Sequence, residues 1–211
     1  MSLANIRRDY LGEPLSESQS ESDPFEQFAK WFDQVRDTET DPTAMALATA
    51  TGGGRPSVRT VLLKGFDARG FVFYTNYNSR KGREIAETGR AGLMFLWRSL
   101  NRQVRIDGAV ERTSDAESDA YFCTRPVESC LSVYASHQSE PIDSRAALDA
   151  LFDAARQTYA DGPVPRPSWW GGYRVIPEEF EFWQGRENRL HDRLHYARQP
   201  DGSWRRQRLA P

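Results

Sequence analysis

Near the C-terminal end, the stretch from Trp183 to Arg193 brings an indole, an imidazole and three guanidinium groups into a few residues. Arg189, His191 and Arg193 alternate with Leu190, Asp192 and Leu194. Successive side chains of an extended strand point to opposite faces, so the spacing predicts a strand over 189–198 with both arginines and the histidine on one face. Donors crowded in that way repel one another unless an anionic or acceptor-rich ligand lies over them. Trp183 offers an apolar wall for a planar ring. A strand with a solvated polar face and Leu190 and Leu194 turned inward has the same spacing, so at this level both readings stand. A zinc site at His191 and His195 is disfavoured, because the segment reads as a strand and lacks a third ligand.

Other donors sit earlier in the chain. Arg59 and Lys64 fall in a predicted strand, Pro56 to Phe66, with opposite parity. A regular strand points them to opposite faces, which suits two different anions unless a bulge intervenes, and ordinary edge charges fit as well. Ser79 is placed to cap a short helix ending near Gly89, with Arg80 and Lys81 in its first turn. Cations are unfavourable at a helix N-terminus unless an anion accompanies them, so the spacing fits a phosphate site or a solvated charge pair. Tyr121, Arg125 and Ser129 are spaced by four and could converge on a phosphate. Pro126 interrupts a continuous helix, so convergence requires a corner between two helices.

The elements that must position these groups read as follows. Asp23 caps a helix with Pro24 at its first position and Glu26 three residues after the cap, and Phe25, Phe28, Trp31 or Phe32, and Val35 recur at helical spacing. Alternation over 44–50, the turn Gly52-Gly53-Gly54 and the strand from Pro56 make a hairpin. Phe71 to Asn76 is a further strand, Ala91 to Trp97 reads as buried on both faces, and Arg102 to Glu111 follows a tight turn. Ser114 and Glu117 open a helix as a capping box, and Ser144 to Tyr159 is an amphipathic helix. A stiff Gly162–Pro167 connector delivers Gly171 and Gly172, which permit close backbone approach. Strands over 173–177, 179–184, 189–198 and 204–209 close the chain. Tight turns between the strands point to a mainly β antiparallel barrel with flanking helices, in one domain over 23–211. The run Glu13 to Ser22 is too polar to bury itself, so residues 1–22 are expected to form a mobile arm.

A net charge of −2 and a pI near 6.0 argue against a dedicated nucleic-acid binder. No apolar run has the length of a membrane span and no signal peptide opens the sequence, so no membrane partner and a cytoplasmic location are expected. Cys123 and Cys130 are too few for a disulfide framework and are expected as buried free thiols.

Trp183-Gln184-Gly185 followed by Arg186 to Arg193 resembles the C-terminal signature of the pyridoxamine 5'-phosphate oxidases, FMN-dependent enzymes that make pyridoxal 5'-phosphate. Matching residues extend from the N-terminal Arg7 to Tyr10 to the closing Arg208-Leu209-Ala210-Pro211. The resemblance implies a split β-barrel and a homodimer with FMN at the subunit interface. It implies FMN contacts at Arg59, Thr60, Val61, Leu62, Leu63, Lys64, Tyr74, Thr75, Arg80, Lys81, Gln103, Gln138, Ser139, Trp183 and Arg193. It implies substrate contacts at Lys64, Tyr121, Arg125, Ser129, Arg189 and His191, with Arg7 and Tyr10 on an arm that closes over the substrate. Arg189 and His191 are then the catalytic pair, Arg189 covering the substrate ring opposite the flavin and His191 bonding its ring hydroxyl. The implied reaction passes a hydride from the C4' carbon of pyridoxine or pyridoxamine 5'-phosphate to the flavin. Dioxygen reoxidises the flavin with release of hydrogen peroxide, and the amine also yields ammonia. Cys130-Leu131-Ser132-Val133-Tyr134 departs from the family's Gln-Ile-Gly-Ala-Trp-like run, which bears on substrate selectivity. An FMN oxidase of a phenazine precursor is the rival within the fold, and a non-enzymatic flavin or pyridoxal-phosphate binding protein is the rival outside catalysis.

Overall fold

The structure is a computed structural model that describes residues 3, 5, 10 and 12–211; Arg7 lies outside the described residues. Its strands are β1 (Ala44–Ala50), β2 (Pro56–Leu62), β3 (Gly65–Asp67), β4 (Gly70–Asn76), β5 (Arg90–Trp97), β6 (Arg102–Arg112), β7 (Trp170–Gln184), β8 (Asp192–Arg198) and β9 (Trp204–Arg208). The helices are α1 (Pro24–Val35), α2 (Arg80–Thr88), α3 (Asp115–Cys123), α4 (Val127–Ala135) and α5 (Arg145–Thr158). All strands join one antiparallel sheet in the order β2-β1-β5-β6-β7-β4-β3, with β8 and β9 continuing from β7. The long β7 pairs with β4 through its first residues and with β6 and β8 through its last. That fork curls the sheet into a half-barrel and brings β2 back toward β4, the mainly β architecture with flanking helices that the alternation predicts.

Helix α1 plugs the concave side. Asp23 accepts from Phe25 N–H at 2.7 Å, Pro24 opens the first turn, and Phe28 meets Phe66, Phe71 and Phe95 edge-on. With Trp97, Phe180, Phe182 and Tyr196 these rings make the core rich in aromatic side chains. Among the described residues no helix is long and apolar enough to cross a membrane.

Several elements differ from their sequence reading. The predicted strand over 189–198 begins only at Asp192, because Glu187–Arg189 is a single helical turn in which Asn188 and Arg189 have positive φ (54° and 61°). Arg189 and His191 therefore sit on a turn, and only Arg193 of the three is on the strand. The strands predicted over 173–177 and 179–184 are one strand, whose register against β6 shifts opposite Asp107 and Gly108, where Pro177 is accommodated. The strand from Pro56 breaks after Leu62, so the parity argument for Arg59 and Lys64 does not hold across the break. Strand β5 buries Leu93, Phe95 and Trp97 on one face only, and Leu96 is 51% exposed. Cys130 is buried as expected, whereas Cys123 is exposed; both are free.

The polar run from Glu13 to Ser22, expected to be mobile, is held against β8 and β9. Leu15 is buried, its N–H donates to Asp192 at 3.1 Å, Arg208 pairs with Glu17 at 2.8 Å, and Tyr196 donates to Glu21 O at 2.8 Å. The run does not bury itself; arginines of β9 and a carboxylate of β8 satisfy it.

Candidate active site

Where β2 returns toward β4, a cleft of about 890 Å³ opens, within the range of pockets that enclose a whole cofactor. One wall is β2 and Lys64, the other is the end of β4, the start of α2, the α3–α4 corner and the loop at Gln138 and Ser139. Local sequence explains why α2 begins here. Ser79 caps it by accepting from Gly82 N–H, and Gly89 in the left-handed region ends it.

The first turn of α2 and β2 form a cation cluster. Lys81 Nζ is buried and donates to Thr75 Oγ1 and Ser79 Oγ at 3.1 Å and to Gln138 Oε1 at 2.7 Å, all neutral acceptors. Burial, with the Arg59 charge nearby, lowers its pKa to about 8. Arg59 donates to Leu47 O and Thr49 Oγ1 and pairs with Glu84 at 3.4 Å; its pKa is lowered, chiefly by burial. Arg80 pairs with Glu84 at 2.8 Å, and its backbone N–H donates to Ser139 Oγ at 3.1 Å. Burial pushes the Glu84 carboxyl up, but hydrogen bonds from Ser57, Thr49 and Arg80 outweigh it and hold the group at about 2. Cations at a helix start, one of them desolvated without a carboxylate of its own, make a donor set that fits a phosphate monoester.

A second set of donors stands at the α3–α4 corner. Tyr121 stacks on Tyr74 at 3.9 Å between centroids, and both rings lie nearly parallel to Trp170. The start of β7 can run this close because Gly172 has no side chain: a Cβ there would meet Tyr74 Cε1 at 2.8 Å and the Thr113 methyl at 2.9 Å. Arg125 lies over Trp170 at 4.7 Å, and its Nη1 is buried with no hydrogen-bond partner among the described residues. A buried guanidinium N–H without an acceptor costs free energy that a bound anion would offset.

The remaining candidates lie on the outer face of the sheet. Gln103 is opposite Trp183 across β6 and β7, and Trp183 is opposite Arg193 across β7 and β8, so the three form one row. His191 packs on Trp183 with centroids 4.6 Å apart and planes tilted by 46°, and Tyr10 meets both rings edge-on at 5.6 Å. Gly185 makes room for Tyr10, since a Cβ would lie 2.8 Å from that of Tyr10. Burial and the Arg189 charge lower the His191 pKa, and its Nδ1 accepts from Arg186 N–H at 3.1 Å. A neutral ring accepting at Nδ1 carries its proton on Nε2. Arg193 is held bidentately by Glu181 at 2.9 Å and donates to Ala210 O.

The cleft thus gathers Arg59, Thr60, Val61, Leu62, Lys64, Tyr74, Thr75, Arg80, Lys81, Tyr121, Arg125, Gln138 and Ser139. Leu63 is turned into the core, Ser129 is half-buried outside the cleft, and Gln103, Trp183, Arg189, His191, Arg193 and Tyr10 stand apart from it. Sequence reasoning missed Ser57, Val58, Asn76, Ser132, Val133, Ser136 and Trp170 in the lining. Ser132 on α4 and Ser136 at its C-cap are spaced by four, a signal that helical periodicity could have supplied. Tyr134, at the departure from the family run, points away: its hydroxyl donates to Pro165 O at 2.7 Å and its ring packs on Tyr159. The segment reaches the cleft through Ser132 and Val133 instead.

Two family profiles together span most of the chain: pyridoxamine 5'-phosphate oxidase over residues 32–159, and the pyridoxine 5'-phosphate oxidase C-terminal dimerisation region over 170–211. A pyridoxine/pyridoxamine 5'-phosphate oxidase of Rubrobacter xylanophilus is 57% identical over 99% of this chain and 96% of its own. One from Herminiimonas arsenicoxydans is 53% identical over the full length of both. Among solved structures, PhzG of Burkholderia lata, in complex with tetrahydrophenazine-1-carboxylic acid, superposes with a TM-score of 0.88 at 34% identity, over 95% of this chain and 99% of that one. The half-barrel, its cation-lined cleft and these full-length matches agree: the chain belongs to the pyridoxamine 5'-phosphate oxidase family.

Proposed function

We propose that the protein oxidises pyridoxine 5'-phosphate and pyridoxamine 5'-phosphate to pyridoxal 5'-phosphate, with FMN as cofactor and dioxygen as acceptor. The observation that carries this reading is the buried Nη1 of Arg125, unpartnered among the described residues, in the same cleft as the Arg59, Arg80 and Lys81 cluster. One cleft with two separate cationic donor sets suits two phosphorylated ligands, a flavin mononucleotide and a phosphorylated substrate. The alcohol and dioxygen give the aldehyde and hydrogen peroxide; the amine, dioxygen and water give the aldehyde, ammonia and hydrogen peroxide.

FMN, when bound, supplies the two-electron acceptor that dioxygen regenerates. Arg59, Arg80, Lys81, Thr75 and Ser139 would hold its phosphate, with Gln138 and the β2 wall from Thr60 to Leu62 along the rest. Arg125, Tyr121 and Lys64 hold the substrate phosphate, and Ser129 belongs with them by its match to the family. His191, neutral and protonated on Nε2, donates to the oxygen of the substrate's ring hydroxyl, and Arg189 covers the ring. Positioning and charge are the protein's contribution.

The protein acts as a homodimer. Val58 and Leu62 of β2, which border the cleft, and Leu96 of β5 are exposed and support a partner subunit over that side of the sheet. We read the Gln103, Trp183 and Arg193 row and the Arg189–His191 turn of one subunit as completing the cleft of the other. A cytoplasmic location follows from the same reading, and two free thiols suit a reducing compartment.

Aerobic incubation of the FMN-loaded protein with pyridoxine 5'-phosphate tests the proposal, with pyridoxal 5'-phosphate and peroxide both expected; flavin binding without either product would overturn the substrate assignment. The likeness to PhzG favours a second reading, oxidation of a phenazine precursor. Turnover of each compound by the same preparation decides between them.

A further inference from the structure

Glu84 lies one turn beyond Arg80 on α2, is 2% exposed, and does not line the cleft. Both carboxylate oxygens are nonetheless committed to groups that do. Oε1 accepts from Arg80 Nε at 2.8 Å, and Oε2 accepts from Ser57 Oγ at 2.5 Å and pairs with Arg59 at 3.4 Å. Thr49 Oγ1, behind the wall, donates to the same Oε2 at 2.5 Å and receives Arg59 Nη1. The carboxylate is thus the hub that ties β1, β2 and α2 together beneath the cation cluster. A buried carboxylate is stable only with such partners, and here the partners are the arginines that face the ligand.

Charge sharpens the point. Arg59, Arg80 and Lys81 carry three formal positive charges, and Glu84 reduces the sum to two, which matches a phosphate monoester dianion. Without Glu84 the guanidiniums of Arg59 and Arg80 would repel and separate before any ligand arrived.

We propose that Glu84 is a positioning residue for the flavin phosphate: it fixes Arg59 and Arg80 at one spacing and so makes the cleft select phosphorylated over unphosphorylated flavin. This rests on the reading of the cleft as the FMN site.

The test is the affinity of apoprotein for FMN and for riboflavin, followed by quenching of flavin fluorescence, in wild type, Glu84→Gln and Glu84→Asp. For Glu84→Gln we expect FMN to bind at least about tenfold more weakly while riboflavin changes by less than about threefold, the scale of losing charge-assisted hydrogen bonds to one ligand only. Glu84→Asp keeps the charge but draws it back by one methylene, so it should lose FMN affinity less and leave riboflavin unchanged; it carries the test alone if the amide variant does not fold. Equal losses for both flavins, or no loss for either, would overturn the proposal by reducing Glu84 to a fold support. A wild-type protein that binds FMN no better than riboflavin would instead overturn the parent reading of the cleft.

Discussion

Arg125 has a buried N–H without an acceptor among the described residues, so its removal should be felt by phosphorylated substrate above all. Arg125→Ala is expected to raise KM for pyridoxine 5'-phosphate by about 10- to 100-fold, the equivalent of one or two charge-assisted hydrogen bonds, with FMN affinity unchanged. Steady-state kinetics with a parallel flavin titration would check it, and an unaltered KM would remove Arg125 from the substrate site. Lys81 gives a pH signature. Its pKa is lowered from 10.5 to about 8, so in the apoprotein it is charged below that pH and neutral above. A phosphate dianion binds the charged form, hence FMN affinity should decline as pH rises through 8, while riboflavin affinity stays level. The unfolded chain keeps this proton up to 10.5, so the same residue makes apoprotein stability rise between those values. Titrations of both flavins at pH 7 and pH 9 would separate the two effects.

At the scale of elements, the turn that carries Arg189 is the informative one. Asn188 and Arg189 both occupy the left-handed region, which asparagine tolerates and arginine does not. Arg189→Gly should therefore stabilise the protein by up to about 1 kcal/mol while lowering turnover. Thermal melting and activity measured on one preparation would reveal that opposition, and a lower melting temperature would count against strain at this turn. The same turn marks the limit of what the sequence disclosed. Alternating polarity from Arg189 to Leu194 imitates a strand, and nothing in the spacing announces two consecutive positive φ values. Helix starts at Asp23, Ser79 and Ser114 were legible because a cap and its partner lie within three residues. The cation cluster at Arg80 and Lys81 was legible for the same reason. Trp170 and Glu84 were not, since each meets the site through residues distant in the chain. The expected double burial of β5 was half right: Leu93, Phe95 and Trp97 are buried on one face, and Leu96 on the other is 51% exposed.

For the whole molecule, the separation of the cleft from the Trp183 row has a consequence that mixing can detect. If each site takes its cleft from one subunit and its row from the other, Arg125→Ala and Arg193→Ala homodimers are both impaired. Random exchange between them should then restore about a quarter of wild-type activity, because half the dimers are mixed and each has one intact site of two. No recovery on exchange would place both halves of the site in one subunit. The clasp between the two ends of the chain matters in another way. Leu15, Glu17 and Glu21 meet Asp192, Arg208 and Tyr196 across sequence separations of 175 to 191 residues. Bringing such distant segments together costs closure entropy before any contact repays it, so this seam should form late in refolding. The cleft is lined by residues between 57 and 170 and framed by β1 to β7, none of which belongs to the seam, whereas Tyr10 comes to rest on Trp183 only once the seam has closed. In time, then, the half of the site that grips phosphate precedes the half that faces the ring, and stopped-flow refolding with FMN present should record flavin capture before tryptophan fluorescence reaches its native value.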